Sequence, residues 1–197
     1  MDQIEPAPAS AVEGAIEGTA AALRVAWLAG LLAYDELLLL AARRLHGPWR
    51  TRVARLLTTA GDARTWTAVG LLLFATRRRS ATHLALRLCA GSTLAALASQ
   101  LLKRSLARAR PTHAIEGFEA LADNPDAFSF PSGHTAAAFG VAVALSGEPW
   151  CAGPLSLLLA TGIALSRVYL GAHYPLDVVV GGFLGAGAGA MARRIVR

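Results

Sequence analysis

Three short segments hold most of the side chains in this sequence that could act on a charged ligand. They read "KRSLARARP" at 103–111, "PSGH" at 131–134 and "SRVYLGAHYPLD" at 166–177. Together they supply cations, imidazoles, a carboxylate and a hydroxyl, a set that suits the binding of a phosphate and its attack by an imidazole. The residues concerned are Lys103, Arg110, Ser132, Gly133, His134, Arg167, His173 and Asp177.

The third segment has the spacing of a nucleophile and its partner. His173 and Asp177 are four residues apart, within reach of each other if Pro175 begins a helix. A carboxylate that holds one imidazole nitrogen fixes the tautomer and leaves the other nitrogen free to attack. Arg167, six residues before the histidine, adds a cation.

The second segment predicts a helix start that could bind an anion. Pro131 and Ser132 are typical of such a start, and its free N–H groups and positive dipole end favour anions. Gly133 removes side-chain bulk where a ligand would approach, and His134 would lie in the first turn.

Each segment alone has a simpler interpretation. A basic helix end can contact lipid headgroups, a Pro-Ser pair can be a plain helix cap, and a histidine near a membrane interface is usually structural. The segments form a site only if the elements that carry them bring them together.

The composition indicates that those elements are membrane helices. Hydrophobic residues make up 54% of the 197-residue chain and charged residues only 16%, and a spanning helix needs roughly 20 mainly apolar residues. Because the backbone in lipid must satisfy its own hydrogen bonds, the sequence predicts an all-α polytopic membrane bundle of about six transmembrane helices. The apolar segments cover about 20–42, 60–76, 82–102, 132–147, 150–166 and 174–192.

Six crossings place the three polar segments at the same membrane face. The end of the third apolar segment, the start of the fourth, the end of the fifth and the start of the sixth all lie there. The sequence therefore predicts a phosphate pocket with a nucleophile and an acid. In the last apolar segment Gly181, Gly185 and Gly189 recur every four residues, which predicts close helix packing.

We interpret residues 1–19 as a polar leader and 20–197 as a single membrane domain. Asp35 and Glu36 interrupt the first apolar segment, and charges at mid-bilayer are costly. Either the spanning part ends before them and residues 36–57 lie along the interface, or the two acids are buried against an arginine.

The remaining polar residues suggest no other chemistry. The net charge of +6 comes mainly from arginines at the ends of apolar runs, where they anchor the chain at headgroups rather than bind nucleic acid. Cys89 and Cys151 lie in apolar segments, which argues against a disulfide framework. Asp123 and Asp126, the acids nearest the phosphate segments, read as a solvated loop, and no carboxylate cluster there suits a hard metal.

Together the three segments resemble the signature of the type 2 phosphatidic acid phosphatase superfamily. That signature is Lys, six residues, Arg-Pro; then Pro-Ser-Gly-His; then Ser-Arg, five residues, His, three residues, Asp. Every fixed position is matched, over roughly residues 100–180. The matching residues are Lys103, Arg110, Pro111, Pro131, Ser132, Gly133, His134, Ser166, Arg167, His173 and Asp177.

The resemblance implies a hydrolase without metal or cofactor that cleaves a phosphomonoester or pyrophosphate of a membrane lipid, such as phosphatidic acid, phosphatidylglycerophosphate or a prenyl pyrophosphate. It implies that His173 forms a phosphohistidine, that Asp177 orients it and that His134 protonates the leaving oxygen. Vanadium haloperoxidases share the signature but look like larger soluble proteins. The residues implied to hold the phosphate oxygens are Lys103, Arg110, Ser132, Gly133 and Arg167.

The side of the membrane that carries the site is less clearly indicated. When Lys103, Arg110 and Arg167 are set aside, the remaining cations are equally divided between the two faces. The Arg77–Arg79 turn and the Arg193–Arg197 tail favour a cytoplasmic opposite face, and the resemblance implies a bacterial cytoplasmic membrane with the site on the periplasmic side.

The sequence leaves one other class of function open and argues against another. A membrane protein that binds lipid phosphate without turnover stays open as the alternative. A transporter would show paired broken helices or an internal repeat, and the sequence shows neither. No pattern indicates an oligomeric state.

Overall fold

The computed structural model describes residues 9–122, 126–147 and 152–196. Within these ranges the chain is helical, and its only β-pairing is a single bridge between Ala109 and Phe128. The prediction of an all-α fold is confirmed. The helices are α1 (Ala9–Arg43), α2 (Pro48–Ala60), α3 (Ala63–Ala75), α4 (Arg79–Leu106), α5 (Pro111–Ala114), α6 (Gly133–Ala144), α7 (Ala152–Tyr169) and α8 (Pro175–Ile195).

Six of these helices are apolar and follow the order of the predicted segments. Three are long enough to cross a membrane, namely Ala21–Arg43 within α1, all of α4 and all of α8, and α3, α6 and most of α7 are shorter apolar helices. Large apolar side chains are exposed on the outside, for example Leu158 at 70% and Phe183 at 76%. Lipid rather than water would cover such a surface, so the structure is a membrane helical bundle consistent with about six crossings.

The chain divides into two compact units, one up to Leu38 and one from Leu39 onward. The first contains most of α1, which passes through Asp35 and Glu36 and continues to Arg43. The helix therefore does not end at the two acids. The second unit contains α2 to α8 and all of the phosphate segments.

Helix α6 lies at the centre of the second unit and contacts α4, α7 and α8. The glycines of α8 allow this approach, because a Cβ added at Gly181 would lie 2.7 Å from the carbonyl oxygen of Ser132, and one at Gly185 or Gly189 would also collide with the α6 backbone. The predicted close packing is found here. It brings the first turns of α6 and α8 together, so that the N–H of Ser132 donates to the carbonyl of Asp177 at 3.0 Å.

A turn after α4 sets the direction of the loop that carries the first polar segment. Ala107 ends the helix in the left-handed region, with φ of 41°. Ala109 then pairs with Phe128. Next to this pair, the N–H of Ser129 donates to the carbonyl of Arg108 at 2.8 Å, and the Ser129 hydroxyl donates to that of Ala109 at 3.1 Å. The chain entering α6 thus holds the backbone of the first segment in place.

Candidate active site

The three polar segments meet at one cavity of about 850 Å³. It lies at the end of the bundle where α4 and α7 finish and α6 begins. Ser132 and Asp177 lie behind its wall and are fully buried. The site residues predicted from the sequence are therefore placed together, as six crossings require. Those that line the cavity are Lys103, Arg110, Gly133, His134, Arg167 and His173.

Arg110 is held by backbone carbonyls beside an imidazole. Its Nη1 donates to the carbonyl of Ala172 at 2.7 Å, and its Nε donates to the carbonyl of Asp126 at 2.7 Å. Nη1 also lies 3.4 Å from Nε2 of His173. Because the side chain is buried and bonded on two sides, it presents a fixed positive charge next to that nitrogen.

Asp126 changes the predicted charge of the pocket. Its carboxylate forms ion pairs with Nζ of Lys103 and Nη2 of Arg110. Burial disfavours its charged form, but the hydrogen bonds from the two cations outweigh burial and hold the pKa of Asp126 below its usual value. The interpretation of Asp126 as a solvated loop acid is wrong, because both of its oxygens are engaged by cations of the site. Asp123 lies outside the described residues.

His173 lies in the turn between α7 and α8 and is 1% exposed. Its Nδ1 is 3.7 Å from Oδ2 of Asp177. Burial, with the positive charges of Arg167 and Arg110, lowers the pKa of His173 to about 4, although Asp177 acts in the opposite direction. The imidazole is therefore neutral at pH 7, as a nucleophile must be.

Asp177 is held on both oxygens. Oδ2 accepts the N–H of Tyr174 at 3.0 Å, and Oδ1 accepts Nη1 of Arg108 at 2.7 Å. The Arg108 guanidinium also lies 3.9 Å from the centroid of the Tyr174 ring. Sequence reasoning missed Arg108, because nothing in "KRSLARARP" separates it from the other basic residues of that run.

The start of α6 places His134 on the cavity wall. Ser132 is the N-cap, and its Oγ accepts the N–H of Thr135 at 3.5 Å and the Thr135 hydroxyl at 3.0 Å. His134 follows in the first turn, beside Gly61, where an added Cβ would lie 3.4 Å from the imidazole ring. Because the Ser132 hydroxyl is buried and used in capping, the backbone N–H groups of this turn are the donors left for an anion.

Arg167 reaches the cavity from the last turn of α7. Its Nη1 donates to Oγ1 of Thr58 in α2 at 2.5 Å. A hydroxyl from α2 thus helps to fix the third cation of the site. Sequence reasoning missed Thr58, which lies 109 residues away along the chain, between the expected interfacial stretch 36–57 and the apolar segment that begins at about 60.

The site has the charges for phosphate chemistry. Within the described ranges, no three His, Cys, Asp or Glu side chains lie together as metal ligands do. In the same ranges, four cations line the pocket, Arg55, Lys103, Arg110 and Arg167, against two acids, Asp62 and Asp126. The excess positive charge can stabilise the oxygens of a phosphate. With two imidazoles on the same wall, the site can bind a phosphoryl group and exchange one of its substituents.

The fold and the site together define a membrane helical bundle with cations and two histidines gathered in a cavity at one end. The model of the PAP2 superfamily matches residues 84–197, more than half of the chain. The chain belongs to the PAP2 superfamily, which confirms the resemblance found in the three segments.

Curated relatives carry the names of lipid-directed phosphatases. The decaprenylphosphoryl-5-phosphoribose phosphatase of Mycobacterium tuberculosis is 38% identical over 102 residues, which cover 52% of this chain and 55% of the relative. The undecaprenyl-diphosphatase of Sulfolobus acidocaldarius is 29% identical over 131 residues, which cover 66% of this chain and 63% of the relative. The chain thus spans about half the length of the first relative and less than two thirds of the second.

Two solved structures share the fold over most of their length. The transmembrane PAP2-type phosphatidylglycerolphosphate phosphatase of Bacillus subtilis has a TM-score of 0.73 and 25% identity, covering 84% of this chain and 86% of that one. Aquifex aeolicus LpxE has a TM-score of 0.64 and 27% identity, covering 80% and 93%. The arrangement of helices is therefore that of membrane PAP2 proteins.

Proposed function

We propose that this protein is an integral-membrane lipid phosphatase that hydrolyses a phosphomonoester or pyrophosphate of a membrane lipid through a phosphohistidine. One observation carries the proposal: two imidazoles and three cations from three distant segments line the same cavity. The names of the relatives, a prenyl-diphosphatase and a phosphatase of a prenyl phosphosugar, support it.

In the first step Nε2 of His173 attacks the phosphorus, and an N–P bond forms as the bond to the leaving oxygen breaks. Nδ1 keeps its proton and faces the Asp177 carboxylate, which stabilises the positive charge that develops on the ring. Protonated His134 gives its proton to the leaving oxygen. The lipid departs as an alcohol or, from a pyrophosphate, as a lipid monophosphate.

In the second step neutral His134 takes a proton from water, whose oxygen attacks the phosphorus. The N–P bond breaks, and its electron pair returns to Nε2 of His173. Inorganic phosphate leaves, His134 is protonated again and His173 is neutral, so the cycle closes with its protons balanced.

The three cations hold the phosphoryl oxygens while charge shifts between the nucleophile and the leaving group. Lys103, Arg110 and Arg167 supply that charge, so the proposed reaction needs no bound metal. The backbone N–H groups of Gly133 and His134, at the start of α6, add donors with the favourable end of the helix dipole. Loss of one such donor typically lowers the rate about 100-fold or more.

The proposed substrate is a lipid whose tail stays in the bilayer. The cavity lies at the ends of apolar helices, where headgroups are found. Prenyl phosphates and diphosphates lead the candidates, because the relatives are named for decaprenyl and undecaprenyl substrates. Phosphatidic acid and phosphatidylglycerophosphate follow.

We further propose a bacterial cytoplasmic membrane with the site on the periplasmic side. The end of the bundle opposite the cavity carries Arg77–Arg79 before and at the start of α4, and Arg193 and Arg194 at the end of α8. The positive-inside rule assigns such arginines to the cytoplasm. In intact cells, a membrane-impermeant maleimide should label a cysteine placed at His113 and not one placed at Arg79, and the reverse pattern would invert the orientation.

Phosphate release tests the activity. Purified protein in EDTA is given short-chain phosphatidic acid or a prenyl diphosphate, and we expect release that vanadate blocks and His173→Ala abolishes. His83→Ala is the matched control, because His83 lies near the start of α4, far along the helix from the cavity. Release that persists in His173→Ala would remove His173 as nucleophile. Phosphate binding without release on every substrate would favour the non-catalytic alternative.

A further inference from the structure

Arg108 contacts the buried acid of the site and not the phosphate pocket. Its Nη1 lies 2.7 Å from Oδ1 of Asp177, and Arg108 is not among the described residues that line the cavity. Lys103, Arg110 and Arg167 all line it. Arg108 therefore occupies a different place from the three cations assigned to phosphate.

The fold gives Arg108 a defined position. α4 ends at Leu106, and Ala107 turns the chain in the left-handed region. The carbonyl of Arg108 then accepts the N–H of Ser129 at 2.8 Å and the Ser129 hydroxyl at 3.3 Å. The guanidinium packs over the Tyr174 ring at 3.9 Å from the centroid, a cation–π distance. Backbone pairing on one side and the aromatic ring on the other direct the guanidinium at Asp177.

Arg108 and a backbone N–H together fix the Asp177 carboxylate. Arg108 takes Oδ1, and the N–H of Tyr174 takes Oδ2 at 3.0 Å. In this orientation Oδ2 is also the oxygen nearest Nδ1 of His173, at 3.7 Å. The Asp177 side chain is 0% exposed, so without Arg108 its charge would be buried without that cation and its plane could rotate.

We propose that Arg108 is a positioning residue of the phosphatase site, which holds Asp177 so that Oδ2 faces Nδ1 of His173 and balances the buried charge of the carboxylate. The inference rests on the proposed function, because it takes His173 as the nucleophile. Arg108 acts through Asp177 and touches no substrate atom. Its loss should therefore lower kcat and leave KM nearly unchanged.

Arg108 also influences the protonation of His173. Asp177 favours the charged form of His173, and Arg108 offsets the charge of that carboxylate. When Arg108 is removed, the carboxylate acts on the imidazole unopposed, so the pKa of His173 rises and the acid limb of kcat/KM moves to higher pH. The charged and titratable groups that line the cavity with His173 are Arg55, Asp62, Lys103, Arg110, Asp126, His134 and Arg167. Asp177 and, beyond it, Arg108 lie on the other side of the imidazole.

The test compares Arg108→Met and Arg108→Lys with the wild type and with Arg104→Met. Arg104 is an exposed cation in the last turn of α4 and serves as the matched control. Phosphate release in EDTA is measured from pH 4 to pH 8 on a prenyl diphosphate and on short-chain phosphatidic acid. For Arg108→Met we expect kcat to fall about 10- to 100-fold and KM to stay within about twofold. The acid limb of kcat/KM should move to higher pH. Arg108→Lys should recover part of kcat, and Arg104→Met should match the wild type.

Three results would overturn the inference: an Arg108→Met kcat within about twofold of the wild type, a loss expressed mainly in KM, or an acid limb that does not move. If Arg108→Met cannot be purified, Arg108→Gln replaces it in the test. Glutamine can keep a hydrogen bond to Asp177 but has no charge, so the acid limb of kcat/KM must still move to higher pH. An active wild type with an unaffected Arg108→Met refutes this inference alone. A wild type that releases no phosphate from any substrate refutes the proposed function and the inference with it.

Discussion

Replacing Asp126 with asparagine should tighten the binding of inorganic phosphate. The Asp126 carboxylate bridges Lys103 and Arg110, two of the cations that the proposed mechanism assigns to the phosphoryl oxygens. Phosphate must therefore displace the carboxylate before it can use them. Asparagine keeps the shape of the side chain and has no negative charge to displace.

The size of the effect follows from the two ion pairs. The Asp126 side chain is 38% exposed, so water screens each pair, and an exposed pair is worth up to about 1 kcal/mol. Breaking two such pairs costs an incoming phosphate about 1–2 kcal/mol. Since about 1.4 kcal/mol corresponds to tenfold in affinity, the inhibition constant for phosphate should fall about 5- to 30-fold in Asp126→Asn.

Competitive inhibition of lipid hydrolysis by inorganic phosphate and by vanadate, in EDTA at pH 7, measures this constant. Glu119→Gln is the matched control, because it removes the same charge from an exposed position in the same loop, and its inhibition constant should equal that of the wild type. Weaker binding in Asp126→Asn would mean that Asp126 holds the cations in place rather than competes for them. Equal tightening in both variants would mean that only the total charge of the loop counts.

Two further predictions concern Arg167 and the proposed nucleophile, His173. Thr58→Val removes the hydroxyl that accepts Nη1 of Arg167, so kcat/KM should fall about three- to tenfold. Thr67→Val, on the exposed side of α3, should not change kcat/KM, and equal kcat/KM values for the two variants would contradict the role of Thr58. The pKa of His173 is about 4, below its usual 6.5. Between these two pH values the unfolded chain therefore binds more protons than the folded chain. The melting temperature of the wild type should fall as the pH is lowered through this range. His173→Gln has no imidazole to protonate at this position, so its melting temperature should depend less on pH. Identical slopes of melting temperature against pH in the two proteins would be evidence against a neutral His173.

The helices could be predicted because each lipid-facing element needs its own run of apolar residues. The expected segments at about 82–102 and 174–192 correspond to α4 and α8. The four-residue glycine spacing predicted a close helix contact of α8, and the structure shows that its partner is α6. The two alternatives for Asp35 and Glu36 concern where the membrane-spanning part ends, and both stay predictions, because the first helix does not end at these acids. It continues through Asp35 and Glu36, because a charge raises the cost of insertion without breaking the hydrogen bonds of a helix.

The placement of the site could be predicted where two simple features determined it. These are the spacing of residues within a segment and the number of membrane crossings, which decides the face at which each segment lies. His173 and Asp177 are four residues apart at a helix start, so no long-range contact had to be known. Thr58 and Asp126 are different, because their contacts join positions that neither periodicity nor a short spacing relates. Thr58 meets Arg167 across 109 residues, and Asp126 lies in a polar loop without helical pattern. The sequence shows only a threonine and an aspartate there.

The two acids of the site show that burial, more than residue type, decides what an ion pair can do. Asp126 pairs with Arg110, and Asp177 pairs with Arg108. Because Asp126 is 38% exposed, water can solvate its carboxylate when phosphate takes its cations. Asp177 is 0% exposed in the first turn of α8, so separation from Arg108 would leave a buried charge uncompensated. The same kind of ion pair is therefore exchangeable at Asp126 and fixed at Asp177. For that reason the proposed mechanism can assign the cations of Asp126 to the substrate, whereas the cation of Asp177 can only hold the carboxylate beside the proposed nucleophile.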